Sequence, residues 1–483
     1  MKSIFRATAI LSAGTFASML FRLVSTKVTA VILQPSGVGF YALRQSFFGM
    51  VGMLAGMGIG TGLVRQGAAP VASNDELTIA SLRRASWIVS CVLAILALLV
   101  LLLAREPLSR FALGSTKYAT TIVLLWIALP FALANGIQSG LLNAYHRVAA
   151  LAKSSVASTA LTSGYVIMCF LFLGLRGVVP AVIGAAMVGC VVSTYFLRRD
   201  VGPVRVQPEI RDVQRMGWSL LRFGGAYTAS LLVGSGAGFL SPIIVLRFLG
   251  TEGVGYGRAA GAISTGVLGF LVTAMAQDYY PRISAAKDHA PTLVNLINEQ
   301  HRLIMIVMVP IVLGTMALLP YLVPLVLSHK FLPAVEILEW ALIGNLFRFS
   351  SWTMSFVILA RFRSSVFFLT ESIVGISSIV TLWLAVQWFG LPGLGISSLA
   401  TYIIYYAAVW LIVRREIPLV WTASNKMMMM ASVAAALVVR VLSWTGFANL
   451  RTPIALLLAL LAGAWSLHAT WGELWGPTES KAV

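Results

Sequence analysis

The sequence predicts an all-α polytopic membrane protein with about 14 transmembrane helices, each of roughly the 20 residues that cross a bilayer. Of the 483 residues, 59% are hydrophobic and only 11% are charged, whereas soluble domains carry about 25% charged residues. Apolar runs recur over nearly the whole chain, and a short motif recurs at a fixed offset. These observations exclude a soluble globular enzyme.

The apolar runs are separated by short polar loops and by one longer charged segment at 198–216. The predicted spans lie near 7–33, 38–64, 85–103, 119–143, 152–174, 177–197, 218–249, 254–280, 303–327, 335–358, 364–388, 393–413, 427–444 and 453–471. The apolar N-terminal run continues past Arg22 to Leu33 and is followed at once by a second span. It is therefore interpreted as a span and not as a cleaved signal peptide.

Lys and Arg residues in the loops set the predicted orientation, because cytoplasmic loops carry an excess of both. With the N-terminus inside, 21 loop cations fall on the cytoplasmic side and seven on the outer side. The seven outer cations are Arg105, Arg110, Lys117, Arg176, Lys330, Arg440 and Arg451. We therefore expect both termini to be cytoplasmic. The same excess accounts for the net charge of +19 without a nucleic-acid partner.

A Gly-Val-Gly motif occurs twice, as SGVGFY at 36–41 and as EGVGYG at 252–257, an offset of 216 residues. The same offset aligns 73–86 with 289–302, which both resemble short amphipathic helices. Asn74 or Asp75 would cap the first and Pro291 would open the second. A repeat of six helices predicts two lobes related by a pseudo-twofold axis along the membrane normal. The predicted parts are an N-lobe at 1–197, a cytoplasmic linker at 198–216, a C-lobe at 217–416, and two further spans with the C-terminal tail at 417–483.

Seven cations lie within the predicted spans: Arg22, Lys27, Arg44, Arg222, Arg247, Arg258 and Arg348. A cation at membrane depth is costly unless it faces protein or water, so each is a candidate functional residue. The alternative is snorkelling, in which the side-chain tip reaches the interface. We favour snorkelling for Arg222 and Arg247. The other five are the candidates for a cationic cavity that binds phosphate or pyrophosphate, since guanidinium binds two anionic oxygens at once.

Helical geometry separates two of these candidates. Arg22 and Lys27 point about 140° apart on an ideal helix. Arg22 shares its face with a polar stripe that fits a water-filled cavity, whereas Lys27 lies to one side of it. The stripe comprises Ser18, Ser25, Thr26 and Thr29. One of the two cations is therefore expected to line the seam between helices.

Glu371 is an intramembrane carboxylate with two interpretations. It is a candidate for proton coupling, or it forms an ion pair with Arg348. Glu336 and Glu339 open the tenth span, where carboxylates favour a helix N-terminus. On span twelve an aromatic face of Tyr402, Tyr405, Tyr406 and Trp410 fits either sugar stacking or ordinary packing, and we favour packing. The three cysteines form no CxxC pair, and we expect neither a metal site nor a cofactor.

Residues 27–66, KVTAVILQPSGVGFYALRQSFFGMVGMLAGMGIGTGLVRQ, resemble the opening of the Wzx-type polysaccharide translocases. These are the O-antigen and enterobacterial common antigen flippases of the multidrug/oligosaccharidyl-lipid/polysaccharide exporter superfamily. The matching features are Lys27, the turn at 35–39, the pair Arg44-Gln45 and the run LAGMGIGTG at 54–62. The resemblance implies flipping of undecaprenyl-pyrophosphate-linked oligosaccharide to the outer leaflet of the bacterial inner membrane by alternating access through a cationic cavity. Only Lys27 and Arg44 match the motif as site residues.

The partners that follow are the lipid-linked substrate, membrane lipids, and the polymerase and chain-length regulator of polysaccharide assembly. A lipid II-type flippase is a chemically close alternative. A multidrug/cation antiporter of the same superfamily is disfavoured, because the first six predicted spans hold no carboxylate. A membrane-embedded glycan-transferring enzyme is less expected still, because no outer loop is long enough for a catalytic domain. There is also no P-loop pattern for ATP hydrolysis.

Overall fold

The computed structural model describes the backbone of residues 2–202, 206–361, 364–443 and 448–475. Within these, side chains are described except at 2–13, 15–16, 233, 265–277, 364, 448–449 and 468–475. Helices occupy nearly all of the described residues, and no strand occurs among them. Eleven continuous described segments are long and apolar enough to cross a membrane. The predicted all-α polytopic fold is therefore confirmed.

The chain forms fifteen described α-helices. The first eight are α1 (Lys2–Gly56), α2 (Ile59–Ala72), α3 (Glu76–Leu103), α4 (Arg105–Leu113), α5 (Ala119–Leu125), α6 (Ala128–Ala144), α7 (Val148–Leu173) and α8 (Val178–Asp200). The others are α9 (Ile210–Ala285), α10 (Ala290–Val326), α11 (Ala334–Arg361), α12 (Ser364–Phe389), α13 (Gly393–Glu416), α14 (Ala423–Leu442) and α15 (Ala448–Trp475). Short 3₁₀ turns lie at 116–118, 174–177 and 329–331.

The two longest helices are each broken at one residue. Gln34 interrupts α1 with φ 60° and ψ 178°, and Gly250 interrupts α9 with φ 68° and ψ −169°. Glycine adopts a positive φ readily, whereas Gln34 is strained there. Pro35 then restarts the helix, because a proline lacks only an N–H that the first turn would leave unpaired. The breaks lie between the predicted spans and are 216 residues apart, the predicted repeat offset.

The two polar segments at 73–86 and 289–302 are not separate helices but the first turns of α3 and α10. Asp75 caps α3, where its carboxylate accepts hydrogen bonds from the Thr78 hydroxyl at 2.6 Å and from the Thr78 backbone N–H at 3.0 Å. These bonds lower the pKa of the Asp75 carboxyl below its usual value. At α10 the helix begins at Ala290, and His289 Nδ1 accepts from the Thr292 N–H at 3.3 Å, so His289 and not Pro291 marks the start.

The chain divides into two compact units, Met1–Gly255 with Val326–Ser328, and Tyr256–Leu325 with His329–Val483. In the first unit, α2 and α6 approach so closely that a Cβ at Gly140 would lie 2.6 Å from the Gly60 carbonyl oxygen. Polar side chains also join helices here, as Gln138 Nε2 of α6 donates to Thr194 Oγ1 of α8 at 2.7 Å. Small residues and interhelical hydrogen bonds are the usual means of helix association in membranes. The lobes predicted at 1–197 and 217–416 stay a prediction.

A buried ion triad holds the last two helices in the second unit. Glu339 of α11 lies 3.0 Å from Arg440 of α14 and 2.6 Å from Arg451 of α15. The Glu339 side chain is only 1% exposed. Arg451 also donates to the Met316 carbonyl of α10 at 3.0 Å. The sequence predicts both arginines as outer-loop cations and Glu339 at a helix start, whereas the structure buries all three together.

We expect Glu339→Ala to destabilise the protein by about 3–5 kcal/mol, because it leaves two buried guanidinium groups without their counter-charge. Thermal unfolding of the purified protein in detergent measures the effect. Glu336→Ala is the matched control, since Glu336 lies on the same helix and is exposed. Equal melting temperatures for the two variants would contradict the structural role of the triad.

Candidate functional site

Arg348 lies between two aromatic rings in the second unit. Its guanidinium carbon is 5.0 Å from the Trp352 ring and 5.3 Å from the Tyr402 ring. Trp352 follows Arg348 by four residues on α11, so both side chains lie on one helix face. Tyr402 comes from α13, and the two helices are close because a Cβ at Gly344 would lie 3.0 Å from Leu399 Cα. The rings therefore fix the position of a half-buried cation.

Arg348 has neither an ion pair nor a hydrogen bond within the described part of the chain. Its contacts in this part of the chain are those with the Trp352 and Tyr402 rings. An arginine in a membrane protein normally pairs with a carboxylate or a backbone carbonyl.

A hydrogen-bonded pair lies beside this arginine on the same two helices. The Ser355 hydroxyl and the Tyr405 hydroxyl are 2.8 Å apart. Tyr405 is within electrostatic reach of both Arg348 and Glu371. Glu371 is a half-buried residue of α12 and has no ion pair among the described residues. The ion pair between Glu371 and Arg348, one of the two sequence-based alternatives, is therefore not formed, and proton coupling by Glu371 stays a prediction.

Arg44 belongs to the first unit and is 2% exposed. Its guanidinium carbon lies 3.3 Å from the Phe40 ring centroid and 4.9 Å from the Tyr118 ring, and its Nη1 donates to the Phe40 carbonyl at 3.0 Å. The Nε atom is buried without a hydrogen-bond partner. The side chain is thus enclosed by protein, and its predicted role in a cavity stays a prediction.

The remaining predicted site residues lie on two helices. In the first unit, Arg22 is exposed and Lys27 is half-buried on α1. In the second unit, Arg258 is exposed on α9. Lys27 and Arg258 each make a contact of their own. The convergence of all the cations on one cavity therefore stays a prediction.

Sequence reasoning missed the contact of Arg247. Its Nη2 atom donates to the Arg110 carbonyl at 3.0 Å and lies 3.4 Å from the Phe111 carbonyl. Both carbonyls belong to the last turn of α4, where backbone acceptors lack helical partners. The sequence-based prediction for Arg247 is snorkelling, yet α4 ends in Gly114 at φ 75°, a signal of exposed C-terminal carbonyls. Elsewhere, no group of three or more His, Cys, Asp or Glu that could hold a metal occurs in the described residues.

Residues 4–287 match the model of a family described as polysaccharide biosynthesis protein. The chain belongs to this family. A protein of Escherichia coli (strain K12) described as lipid III flippase is 22% identical over 432 residues, covering 86% of this chain and 100% of the relative. The sequence-based resemblance to polysaccharide translocases is thereby confirmed.

Two solved structures share the fold. The first is lipid II flippase MurJ in an inward closed conformation, with a TM-score of 0.72 and 14% identity over 96% of this chain and 99% of that chain. The second is a multidrug resistance MATE family transporter in an inward-facing conformation, with a TM-score of 0.63 and 17% identity over 86% of this chain and 95% of that chain. The family member described here therefore has the MurJ/MATE fold.

We expect Tyr118→Leu to reduce stability by about 0.5–2 kcal/mol, because it removes one of the two rings that stabilise the buried Arg44 cation. Tyr118→Phe keeps the ring and is expected to unfold close to the unaltered protein. Thermal unfolding in detergent compares the two. If Tyr118→Phe and Tyr118→Leu destabilise the protein by the same amount, the Tyr118 ring does not stabilise Arg44.

Proposed function

We propose that this chain is a flippase for an undecaprenyl-pyrophosphate-linked oligosaccharide, the repeat unit of a surface polysaccharide. It would carry the headgroup from the cytoplasmic to the periplasmic leaflet of the bacterial inner membrane. The observation that carries the proposal is the Arg348 guanidinium, which lies within a membrane span and has no anionic partner among the described residues. Family membership and the flippase relative support it.

The chemistry of Arg348 suits a pyrophosphate headgroup. Guanidinium presents its donors in a planar fork that matches two phosphate oxygens, and it stays charged at every physiological pH. Trp352 and Tyr402 hold the fork in place, so less conformational entropy is lost when the anion binds. The same rings offer apolar surface beside the anion, where the first sugar of the substrate would lie. We propose that substrate passes by alternating access, and that Arg22, Lys27, Arg44 and Arg258 are further candidates for binding its anionic headgroup.

The membrane potential supplies a driving force for this transport. Moving one negative charge outward against an inside-negative potential is downhill by about 2.3 kcal/mol per 100 mV. An anionic pyrophosphate headgroup therefore gains free energy on export without nucleotide hydrolysis. A proton carried by Glu371 would add to this driving free energy, but the direction of transport does not require the proton.

A cation antiporter fits the geometry less well. Such a transporter needs carboxylates that face its substrate, and the first six predicted spans contain none. In the second unit Glu339 is 1% exposed and lies between two arginines, so its charge is already compensated. A lipid II-type flippase would move the same pyrophosphate chemistry, and the identity of the accumulated lipid in a null mutant separates these substrates.

We propose that both termini lie in the cytoplasm, because the predicted loops carry 21 cations on that side and seven on the other. The sugars are then delivered to the periplasmic side, where a polymerase and a chain-length regulator would act on them. Flipping makes and breaks no covalent bond, so we propose a transporter and not an enzyme. The segment at 198–216 would link the lobes on the cytoplasmic face. It carries five of the inside cations, Arg198, Arg199, Arg205, Arg211 and Arg215.

Deletion of the gene is expected to abolish surface polysaccharide and to leave lipid-linked repeat units facing the cytoplasm. Gel analysis of surface polysaccharide measures the first effect. Treatment of intact spheroplasts with a membrane-impermeant glycosidase measures the second, since inward-facing units are protected. Normal surface polysaccharide in the deletion strain would refute the proposed function, and re-expression of the intact chain is the control.

Replacing Arg348 with alanine in a complemented strain is expected to reduce surface polysaccharide roughly 10- to 100-fold, the effect of losing a charged hydrogen bond of about 1.5–3 kcal/mol. Arg348→Lys keeps the charge but loses the planar fork, so we expect an intermediate value. Arg414→Ala is the matched control, because Arg414 also lies over a ring, 4.8 Å from Trp410, at the end of α13. Protein abundance and melting temperature are measured for each variant. Equal polysaccharide from the Arg348 and Arg414 variants would exclude Arg348 from substrate binding.

A further inference from the structure

A cavity of about 550 Å³ opens on the side of α8 near its C-terminal end. The described residues that line it all belong to that helix: Val191, Thr194, Tyr195, Arg198 and Arg199. Their spacing of three or four residues places them on one helix face. The cavity therefore runs along α8 from an apolar part to a basic part.

The basic part of the cavity forms no ion pair within the described part of the chain. Arg198 and Arg199 lie in the last turn of α8 and are exposed. Neither side chain makes an ion pair or a hydrogen bond with a described residue, although Asp200 follows them directly. Arginines at this end of a helix often donate hydrogen bonds to its last carbonyls, and this pair makes no such bond to a described carbonyl. The charge of the pair is therefore not balanced by a described carboxylate.

The wall of the cavity is held in place by the protein. Thr194 Oγ1 accepts a hydrogen bond from Gln138 Nε2 at 2.7 Å and donates one to the Cys190 carbonyl at 2.7 Å. The Tyr195 ring lies edge-on to the Phe196 ring, with 5.3 Å between their centroids. Phe196 in turn packs against a buried hydrophobic cluster of the first unit. Because the protein uses the Thr194 hydroxyl, the polar groups that a ligand can reach are the two guanidinium groups and the Tyr195 hydroxyl.

An exposed apolar stripe continues from the cavity along the same face of α8. Tyr195 is 58% exposed, Val191 62% and Met187 43%, and the three lie four residues apart. From Met187 to Arg199 this face is about 18 Å long, at a rise of about 1.5 Å per residue. One leaflet contributes about 15 Å to a hydrocarbon core of about 30 Å. The stripe and the arginine pair therefore match the acyl chain and the charged headgroup of one phospholipid.

The sign of the charge selects the headgroup. Two guanidinium groups attract a phosphodiester and bind its oxygens as planar forks, whereas the cationic part of a zwitterionic headgroup would meet a like charge. In the predicted orientation this end of α8 lies at the cytoplasmic face, where the leaflet carries a negative surface potential. An excess of arginine there is also the ordinary signal of orientation. Orientation alone, however, requires neither the cavity nor the apolar stripe.

We propose that the C-terminal end of α8 binds an anionic phospholipid of the cytoplasmic leaflet. Arg198 and Arg199 bind the phosphodiester, and the Tyr195 hydroxyl donates a hydrogen bond to it. One acyl chain lies along Val191 and Met187. The bound lipid holds the end of α8 at the level of the headgroups. The site belongs to the first unit alone and does not depend on the proposed flippase function.

Native mass spectrometry of the purified full-length chain tests the site with phosphatidylglycerol and phosphatidylcholine that carry the same acyl chains. The unaltered chain is expected to bind phosphatidylglycerol more tightly than phosphatidylcholine. Replacing the pair, as Arg198→Ala with Arg199→Ala, is expected to weaken phosphatidylglycerol binding roughly tenfold, the loss of one charged hydrogen bond.

The matched control is Arg414→Ala with Arg415→Ala. These two residues form the same exposed pair in the last turn of α13, so their replacement removes the same charge. This control is expected to weaken binding less than about twofold, because exposed charges contribute little. An equal loss in the two double variants would overturn the proposal. Displacement of the lipid by inorganic phosphate at the same concentration would also overturn it, because the acyl chain would then contribute nothing.

A second measurement locates the lipid without altering the arginines. Val191→Cys, in a chain whose three native cysteines are replaced, carries a bimane label in nanodiscs with equal mole fractions of brominated phosphatidylglycerol or brominated phosphatidylcholine. Phosphatidylglycerol is expected to quench this label more strongly. Ala407→Cys is the control, because it is exposed and lies seven residues before Arg414, as Val191 lies seven before Arg198. Equal quenching by the two lipids at Val191 would overturn the site. Neither measurement requires transport, so the lipid site and the flippase proposal can fail separately.

Discussion

The cost of an uncompensated charge inside a bilayer is the constraint on which this structure depends. Glu339 meets that cost by lying between Arg440 and Arg451, which are themselves buried. The cost of burying Arg44 is offset differently, by a hydrogen bond to the Phe40 carbonyl and by the faces of the Phe40 and Tyr118 rings. Arg348 has only aromatic faces in the described part of the chain. A charge that the protein positions but does not neutralise is where an external anion gains most by binding.

The triad and the candidate site belong to the same helix, and this connects stability with function. Glu339 and Arg348 both lie on α11, which is largely buried within the second unit. The triad fixes one end of α11 to α10, α14 and α15, and the close contact of Gly344 with Leu399 fixes its middle to α13. Arg348 therefore extends from a helix that is held at several points. A site on a rigid element binds more strongly, because less motion is lost when the ligand arrives.

Most of the fold was predictable from local sequence, and the site was predictable only in part. The length of the apolar runs and the 216-residue offset anticipated the helices and the breaks at Gln34 and Gly250, because both signals are local or periodic. The pairing of Glu339 with Arg451 joins residues more than a hundred positions apart, and no periodicity reports it. The burial of Arg44 was likewise invisible, since the partner ring of Tyr118 comes from another element. Arg348 was identified from its depth alone, but its aromatic neighbour on α13 needed the tertiary structure.

The free-energy cost of breaking an interaction indicates whether that interaction persists while substrate is transported. Removing a partner from a buried triad costs about 3–5 kcal/mol. The ion triad around Glu339 is therefore expected to persist through a transport cycle. About 2.3 kcal/mol per charge per 100 mV is available from an anionic headgroup crossing the membrane potential. A single charge therefore supplies less than the cost of breaking the triad, which supports the triad as a fixed part of the second unit.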